Sequence, residues 1–437
     1  MQKYGVLILG GGLAGLSAAY HLENAGFKDY LLLEKEDEIG GICKSKLIRG
    51  YTFDYGPHIF YTSNDYVFNL ITGFLGENLI RKERKAYIFL NGDYIKYPFE
   101  VNLHDISDKR IVRECLLGAM RRRENSDPSN FEDWIVSTFG EGIAKYYMIP
   151  YNRKVWKYDL RVMSIDWIKG RVPAPSIEDM VDGALGICEK EFGGNAIFYY
   201  PKVGGIGALP NAFYGRVSNV ATGCEVKEIV PNGDSIEVSF YKDGKLKRVR
   251  CKKIISSIPL PRLFKMIKDV PENLLRLSEK LVYTSMICVN IGVKRENISD
   301  KHWLYFPENK YVFNRISFPM NFSPFTTPPR RSSILTETTH IKGEKAHLEG
   351  IKEKVLDGLI EADILKGDDE LEVVDATRFE FAYVVYDRDH RRKVRELHEY
   401  LLSKGIHPVG RFGLWEYLNM DKTILSGRKV VEEVFTR

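Results

Sequence analysis

The sequence predicts an α/β fold in three parts, on three observations. A strand, a glycine-rich turn, a helix and a second strand follow one another within the first 34 residues. Helical periodicity dominates from about residue 104 to 191, and short alternating strands joined by Asn-Gly and Asp-Gly turns recur elsewhere. At 437 residues the chain is too long for one hydrophobic core and suits two or three domains.

Tyr4 to Leu9 reads as a buried strand, Leu13 to Ala25 as a small-residue helix stopping before Gly26, and Tyr30 to Glu34 as a second strand. Tyr87 to Tyr97 reads as a hairpin turning at Asn91-Gly92. The helical stretch has a cap at Asn130 ahead of FEDWIVSTF and a break at Pro150. Residues 218 to 257 read as a β-meander, and residues 281–342 and 371–387 as aromatic-rich strands. Helices at about 346–362 and 391–404 follow those two segments, and Thr423 to Phe435 forms a final amphipathic helix. This divides the chain into a discontinuous first domain (1–75, 193–275 and 405–437), a helical insert (103–192) and an antiparallel-sheet substrate domain (76–102 and 276–404).

A formal charge of +5 over 64 basic and 59 acidic residues is too small and too well mixed to imply nucleic acid. The run Arg121-Arg122-Arg123 reads as a solvated helix end. Cys43, Cys115, Cys188, Cys224, Cys251 and Cys288 are far apart with no CxxC pair, which argues against zinc and a disulfide framework. A cytoplasmic setting and no metal are expected. No stretch reaches the ~18 apolar residues of a membrane span, and an N-terminus with one early basic residue, Lys3, is a poor secretion signal.

Gly10-Gly11-Gly12-Leu13-Ala14-Gly15 supplies G-x-G-x-x-G between strand and helix, where missing Cβ atoms admit a pyrophosphate to the helix N-terminus. Glu34 follows at the end of the second strand, placed to accept hydrogen bonds from ribose hydroxyls. These residues disfavour NADP and leave NAD and FAD both open. Gly40-Gly41 resembles the further glycine pair of FAD-binding members of the glutathione-reductase-like superfamily. GRFGLWEYLNMD (410–421) runs into a helix whose N-terminus suits a flavin's polar edge, as in flavoproteins that close over the ring from their C-terminal segment. A Rossmann-like FAD-binding domain held from both chain ends is the expectation.

Several blocks together are more specific: DYGPHIFYT (54–62), YPFEVN (97–102), YNRKVWKYD (151–159), GRVPAP (170–175), GGNAIFYYPKVGGIG (193–207), WLYFPE (303–308) with Asn314-Arg315, and PVGRFGLWEYLNMD (408–421). They resemble the UDP-galactopyranose mutase family, flavoenzymes that interconvert the six- and five-membered ring forms of a nucleotide-linked galactose. The resemblance spans most of the chain. It implies that His58 sits at the flavin and that Arg171 and Arg315 act on the substrate diphosphate, making these three the catalytic candidates. Gly10, Gly12, Leu13, Ala14, Gly15, Glu34, Lys35, Gly41, His58, Val226, Arg411, Tyr417, Asn419 and Met420 would hold the cofactor. Tyr97, Phe99, Asn152, Trp156, Arg171, Asn195, Tyr305, Arg315, Tyr383 and Tyr417 would meet the substrate. Tyr61 departs from the family, standing where bacterial members carry a second histidine. Glu100 stands where related members carry an amide that meets the base, and a carboxylate cannot donate unless protonated.

The implied reaction uses reduced FAD, whose N5 is the nucleophile at the anomeric carbon of a UDP-hexose, with UDP-galactose the expected substrate in a route to galactofuranose and cell-wall polysaccharide. It requires an external reductant such as NAD(P)H or a flavin reductase, and a homo-oligomer stays open. The absence of a Ser-His-Asp set, paired hydrolase carboxylates or a metal cluster agrees with a nucleophile supplied by the cofactor. The Gly- and Pro-rich surroundings of Arg171 suggest a loop closing over the diphosphate. The rival reading is an FAD-dependent oxidoreductase of the amine oxidase, protoporphyrinogen oxidase or desaturase type, which shares the fold and differs in its cavity.

Overall fold

The computed structural model describes residues 1–122, 127–168, 172, 174–188, 190, 192, 195–344 and 346–435. The mixed first sheet runs Glu225–Asn232, Ser235–Lys242, Lys245–Ser256, Gln2–Leu9, Tyr30–Leu33 and Val220–Ala221, with Ile406–Pro408 beside the end of Lys245–Ser256. Strands from three separated stretches of chain thus share one sheet. Lys245–Ser256 joins its two halves, pairing antiparallel with Ser235–Lys242 and parallel with Gln2–Leu9. The meander follows from its turns: Asp243 and Gly244 both adopt positive φ, at 51° and 70°, as a tight two-residue hairpin requires.

The second sheet runs Leu371–Val384, Tyr283–Val293, Ser332–Ile341, Arg315–Ser317, Trp303–Tyr305, Ala86–Leu90 and Asp93–Lys96. Its pairs are antiparallel except Trp303–Tyr305 with Ala86–Leu90, which is parallel because those strands arrive from distant parts of the chain. Asn91 and Gly92 turn the Ala86–Leu90 hairpin with φ of 53° and 90°. Every residue of Tyr283–Val293 is buried, so both faces of this central strand are covered.

In the helical segment, Lys109–Met120 packs on Phe131–Ile143, which Asn130 caps by accepting from Asp133 N at 2.9 Å. A Cβ on Gly140, where φ is 81°, would lie 2.2 Å from the backbone carbon of Gly118, so the two helices cross at backbone contact. The expected break at Pro150 is not there. A π-helical turn, Ala144–Met148, leads directly into Ile149–Trp156, and Pro150 sits in that helix's first turn, where its missing N–H is no loss. The chain leaves the helix instead at Lys157, in the left-handed conformation. The last helix begins at Met420 rather than Thr423. No helix among the described residues is long and apolar enough to cross a membrane.

Candidate active site

A cavity of about 1750 Å³ is lined by residues of both sheets and of the helical segment. At one end lie Gly10, Gly12, Leu13 and Ala14. Gly12 precedes Leu13–Asn24 in extended conformation, and no side chain caps that helix. The uncapped N-terminus opening on a cavity fits a cofactor pyrophosphate. Gly15 serves differently: it is absent from the cavity wall, and a Cβ there would lie 2.0 Å from Gly10 O, so it lets helix and strand pack closely.

Glu34 is buried, and its two carboxylate oxygens accept from Gly11 N at 2.6 Å and Glu36 N at 2.9 Å. Backbone donors thereby aim the carboxylate and leave lone pairs for a ribose hydroxyl. Lys35, Gly41 and Val226 line the same end, with Lys35 paired to Glu36 at 2.9 Å. Arg411 lies over the Tyr417 ring at 4.4 Å and near that of Tyr383 at 5.8 Å, and its buried Nε has no hydrogen-bond partner among the described residues. Met420 opens the last helix at the wall, and Asn419 Nδ2 donates to Tyr61 Oη at 2.7 Å.

His58 faces the cavity midway, its Nδ1 2.9 Å from Gly56 O. Burial, assisted by the nearby positive charges of Arg411 and Arg315, pushes its pKa down to about 4, so the ring is neutral at physiological pH. With Nδ1–H donating to that carbonyl, Nε2 is an acceptor. Beyond it Arg315 forms a two-pronged ion pair with Glu337, directly opposite on the next strand and 1% exposed. Tyr151, Tyr305, Tyr383 and Tyr417 line the same region. Burial raises the pKa of the Tyr151 and Tyr383 phenols, keeping them as O–H donors.

The structure brings most of the expected residues to this one cavity. Tyr97, Trp156 and Asn195 line it, and Asn195 Oδ1 accepts from Arg84, whose guanidinium stacks 4.9 Å from the centre of the Tyr97 ring. Phe99 stands behind the wall, fully buried and stacked on Tyr147 at 5.1 Å. Asn152 lines the cavity but spends its amide within the helix, donating to Met148 O at 2.8 Å and accepting from Trp156 Nε1 at 3.0 Å, which orients the indole. Arg171, with Gly170 and Pro173, lies outside the described residues. Sequence reasoning missed Glu337, Tyr147, Tyr151 and Arg84. Only for Glu337 is there a local signal, a polar run (Thr336-Glu337-Thr338-Thr339) within a strand buried on both faces.

Among known proteins, the model of flavin-containing amine oxidoreductases matches residues 13–434. The chain belongs to the flavin-containing amine oxidoreductase family. A crystal structure of reduced UDP-galactopyranose mutase superposes on this family member with a TM-score of 0.92 at 26% identity, covering 100% of this chain and 94% of that one. UDP-galactopyranose mutase of Mycoplasma pneumoniae is 40% identical over 80 residues, 18% of this chain and 20% of that protein. Carotenoid 3,4-desaturase of Haloarcula japonica is 24% identical over 288 residues, 57% of this chain and 51% of that protein. These alignments thus span a fifth to a half of the relatives' own lengths, whereas the likeness to the mutase in three dimensions covers the whole fold. The mixed α/β architecture agrees with that of a flavin-dependent mutase.

Proposed function

We propose that the chain is an FAD-dependent nucleotide-sugar mutase interconverting the pyranose and furanose forms of a UDP-hexose, with UDP-galactose the first candidate. The observation that carries this reading is the Arg315–Glu337 pair set among tyrosines in the same cavity as the glycine cradle. A site of that kind suits an anionic, hydroxyl-rich substrate better than a hydrocarbon. When bound and reduced, the flavin would supply the nucleophile toward the anomeric carbon. The chain's own residues then have defined tasks. Arg315, oriented by Glu337, and the phenols of Tyr151 and Tyr383 donate to the diphosphate. Neutral His58 offers Nε2 as an acceptor beside the reacting ring, and Asn195, held by Arg84, turns an amide toward the sugar. Arg171 is assigned to the diphosphate by the family resemblance of the block that carries it.

The test is anaerobic incubation of the flavin-loaded protein with UDP-galactose, with and without dithionite, followed by chromatography for a second UDP-hexose. Product in the reduced sample alone is expected. No product across UDP-, GDP- and dTDP-sugars would sink the reading. The long desaturase alignment favours a second one, an oxidoreductase. Substrate-dependent O2 uptake by the oxidised protein, without isomerisation, would establish it.

A further inference from the structure

One buried tyrosine stands behind the cavity rather than in it. Tyr386 is 8% exposed, lies two residues past the end of the strand Leu371–Val384, and is absent from the cavity wall, whereas Tyr383 of that strand lines it. Its phenol oxygen accepts from Tyr417 N at 2.7 Å. Its backbone carbonyl accepts from Ser164 N at 2.7 Å, and Met163 forms a β-bridge with the next residue, Asp387, which is ion-paired with the buried Lys393. Its ring packs on that of His390 with centroids 4.1 Å apart. Tyr386 therefore joins the second sheet, the helical segment and the last segment of the chain.

The segment it meets needs outside support. After the short helix Gly410–Gly413, the fully buried Trp415 takes a left-handed conformation with φ of 54°, which a bulky residue holds only where its surroundings impose it. Glu416 N donates to Arg411 O and Leu418 N to Glu416 O, both at 2.9 Å, so Tyr417 is the centre of a three-residue turn. The Tyr417 amide goes outside that turn, to Tyr386. On the cavity side, the Tyr417 ring lies 4.4 Å from the Arg411 guanidinium and 5.8 Å from the ring of Tyr383. Resting on the nucleotide-sugar reading above, we propose that Tyr386 is a positioning residue for substrate binding. Its hydroxyl, used as an acceptor, holds the strained Trp415–Tyr417 turn so that the Tyr417 phenol faces the substrate beside Tyr383 and Arg411. Tyr386 touches no substrate itself. A phenylalanine in its place keeps the packing on His390 and the backbone contact with Ser164 but leaves the Tyr417 amide without this acceptor, so the turn relaxes and the Tyr417 phenol shifts.

The experiment is a double-mutant cycle in calorimetric binding of UDP-galactose to the oxidised, FAD-loaded enzyme, with Tyr386→Phe, Tyr417→Phe and both together. Tyr386→Phe alone should weaken binding about three- to tenfold, the size of one hydrogen bond. In the Tyr417→Phe background the same change should cost less than about twofold, the scatter within which independent effects add. An unchanged affinity in Tyr386→Phe overturns the proposal. So does an equal loss in the two backgrounds, because a residue that only supports the fold weakens binding whatever stands at position 417. Failure of the wild type to bind UDP-galactose overturns it together with the nucleotide-sugar reading. Should Tyr386→Phe not retain FAD, hydrogen exchange at the Tyr417 amide of the wild type decides: protection that rises when UDP-galactose binds supports the proposal, and no change on binding overturns it. Coupled losses of affinity without isomerisation by the reduced enzyme would overturn the mutase reading alone.

Discussion

Asn419 donates through Nδ2 to the Tyr61 hydroxyl at 2.7 Å, tying the segment that carries Tyr417 and Arg411 to the one that carries His58. The two partners are 358 residues apart in sequence, so this bond joins two distant stretches of chain along the cavity wall. Tyr61→Phe removes the acceptor and should cost about 1 kcal/mol. Tyr61→His can present a ring nitrogen to the same amide and should lose less. Thermal unfolding of the holoprotein, read alongside release of fluorescent flavin, measures both. No loss in Tyr61→Phe, which keeps the ring, would show that the bond contributes nothing beyond the ring's packing.

Arg315 and Glu337 are cross-strand partners with the carboxylate almost fully buried. Removing one member leaves the other charge buried and unpaired, so Glu337→Gln and Arg315→Met should each destabilise by about 3–5 kcal/mol. Because each substitution removes the same interaction, the double variant should lose less than the summed singles. Urea denaturation of the three proteins tests this coupling. Additive losses would mean that the two side chains contribute independently.

What could be read in the sequence was what local chemistry dictates. Glycines that must adopt positive φ, such as Gly10 at 102° and Gly92 at 90°, announce a cofactor turn and a hairpin wherever the rest of the chain goes. Glu34 was legible because its distance from the glycine turn is set by one strand–helix–strand unit. For Glu337 the polar run around it was a signal without a meaning, since nothing near it in sequence says which strand will stand opposite; the meaning arises only when Arg315 pairs with it. Phe99 illustrates the reverse error. Its neighbours Tyr97 and Glu100 face the cavity, but the intervening turn directs the phenylalanine into the core behind Tyr147. Pro150 was read as a break because proline usually ends helices, whereas a preceding π-turn places it in a first turn.

Lys154 is a second buried charge with a defined purpose. The three N–H donors of its Nζ are shared among four carbonyl oxygens, Phe306 O at 2.9 Å, Glu308 O at 2.8 Å, Tyr311 O at 2.9 Å and Phe313 O at 2.7 Å, pinning the segment after Tyr305 to the helix that carries Trp156. Lys154→Met orphans those carbonyls and should cost about 3 kcal/mol. Burial lowers the Lys154 pKa to about 7 from 10.5. Between those values the unfolded chain holds a proton that the folded chain has released, so wild-type stability should rise with pH across the window. Denaturant midpoints of wild type and Lys154→Met at several pH values between about 7 and 10 should therefore diverge as pH increases. Parallel curves would show that the carbonyl cage keeps the ammonium charged throughout.

His58 gives the sharpest prediction on chemistry. Its Nδ1 lies 2.9 Å from Gly56 O, and burial followed by the charges of Arg411 and Arg315 lowers its pKa to about 4 from 6.5. The unfolded chain therefore binds a proton between those values that the folded ring refuses, and this contribution to stability is lost as pH falls through the window. At the site itself the consequence is constancy. The ring stays neutral, with Nε2 bare, across the pH range in which an ordinary histidine switches. The pH profile of kcat/KM should show no histidine inflection between about 5 and 8. Nitrogen NMR of histidine-labelled protein should report a neutral Nδ1–H tautomer down to about pH 5. An imidazolium signal for His58 at pH ~6 would mean that its role is to carry charge to the substrate, and would move it from hydrogen-bond acceptor to proton donor in the proposed reaction.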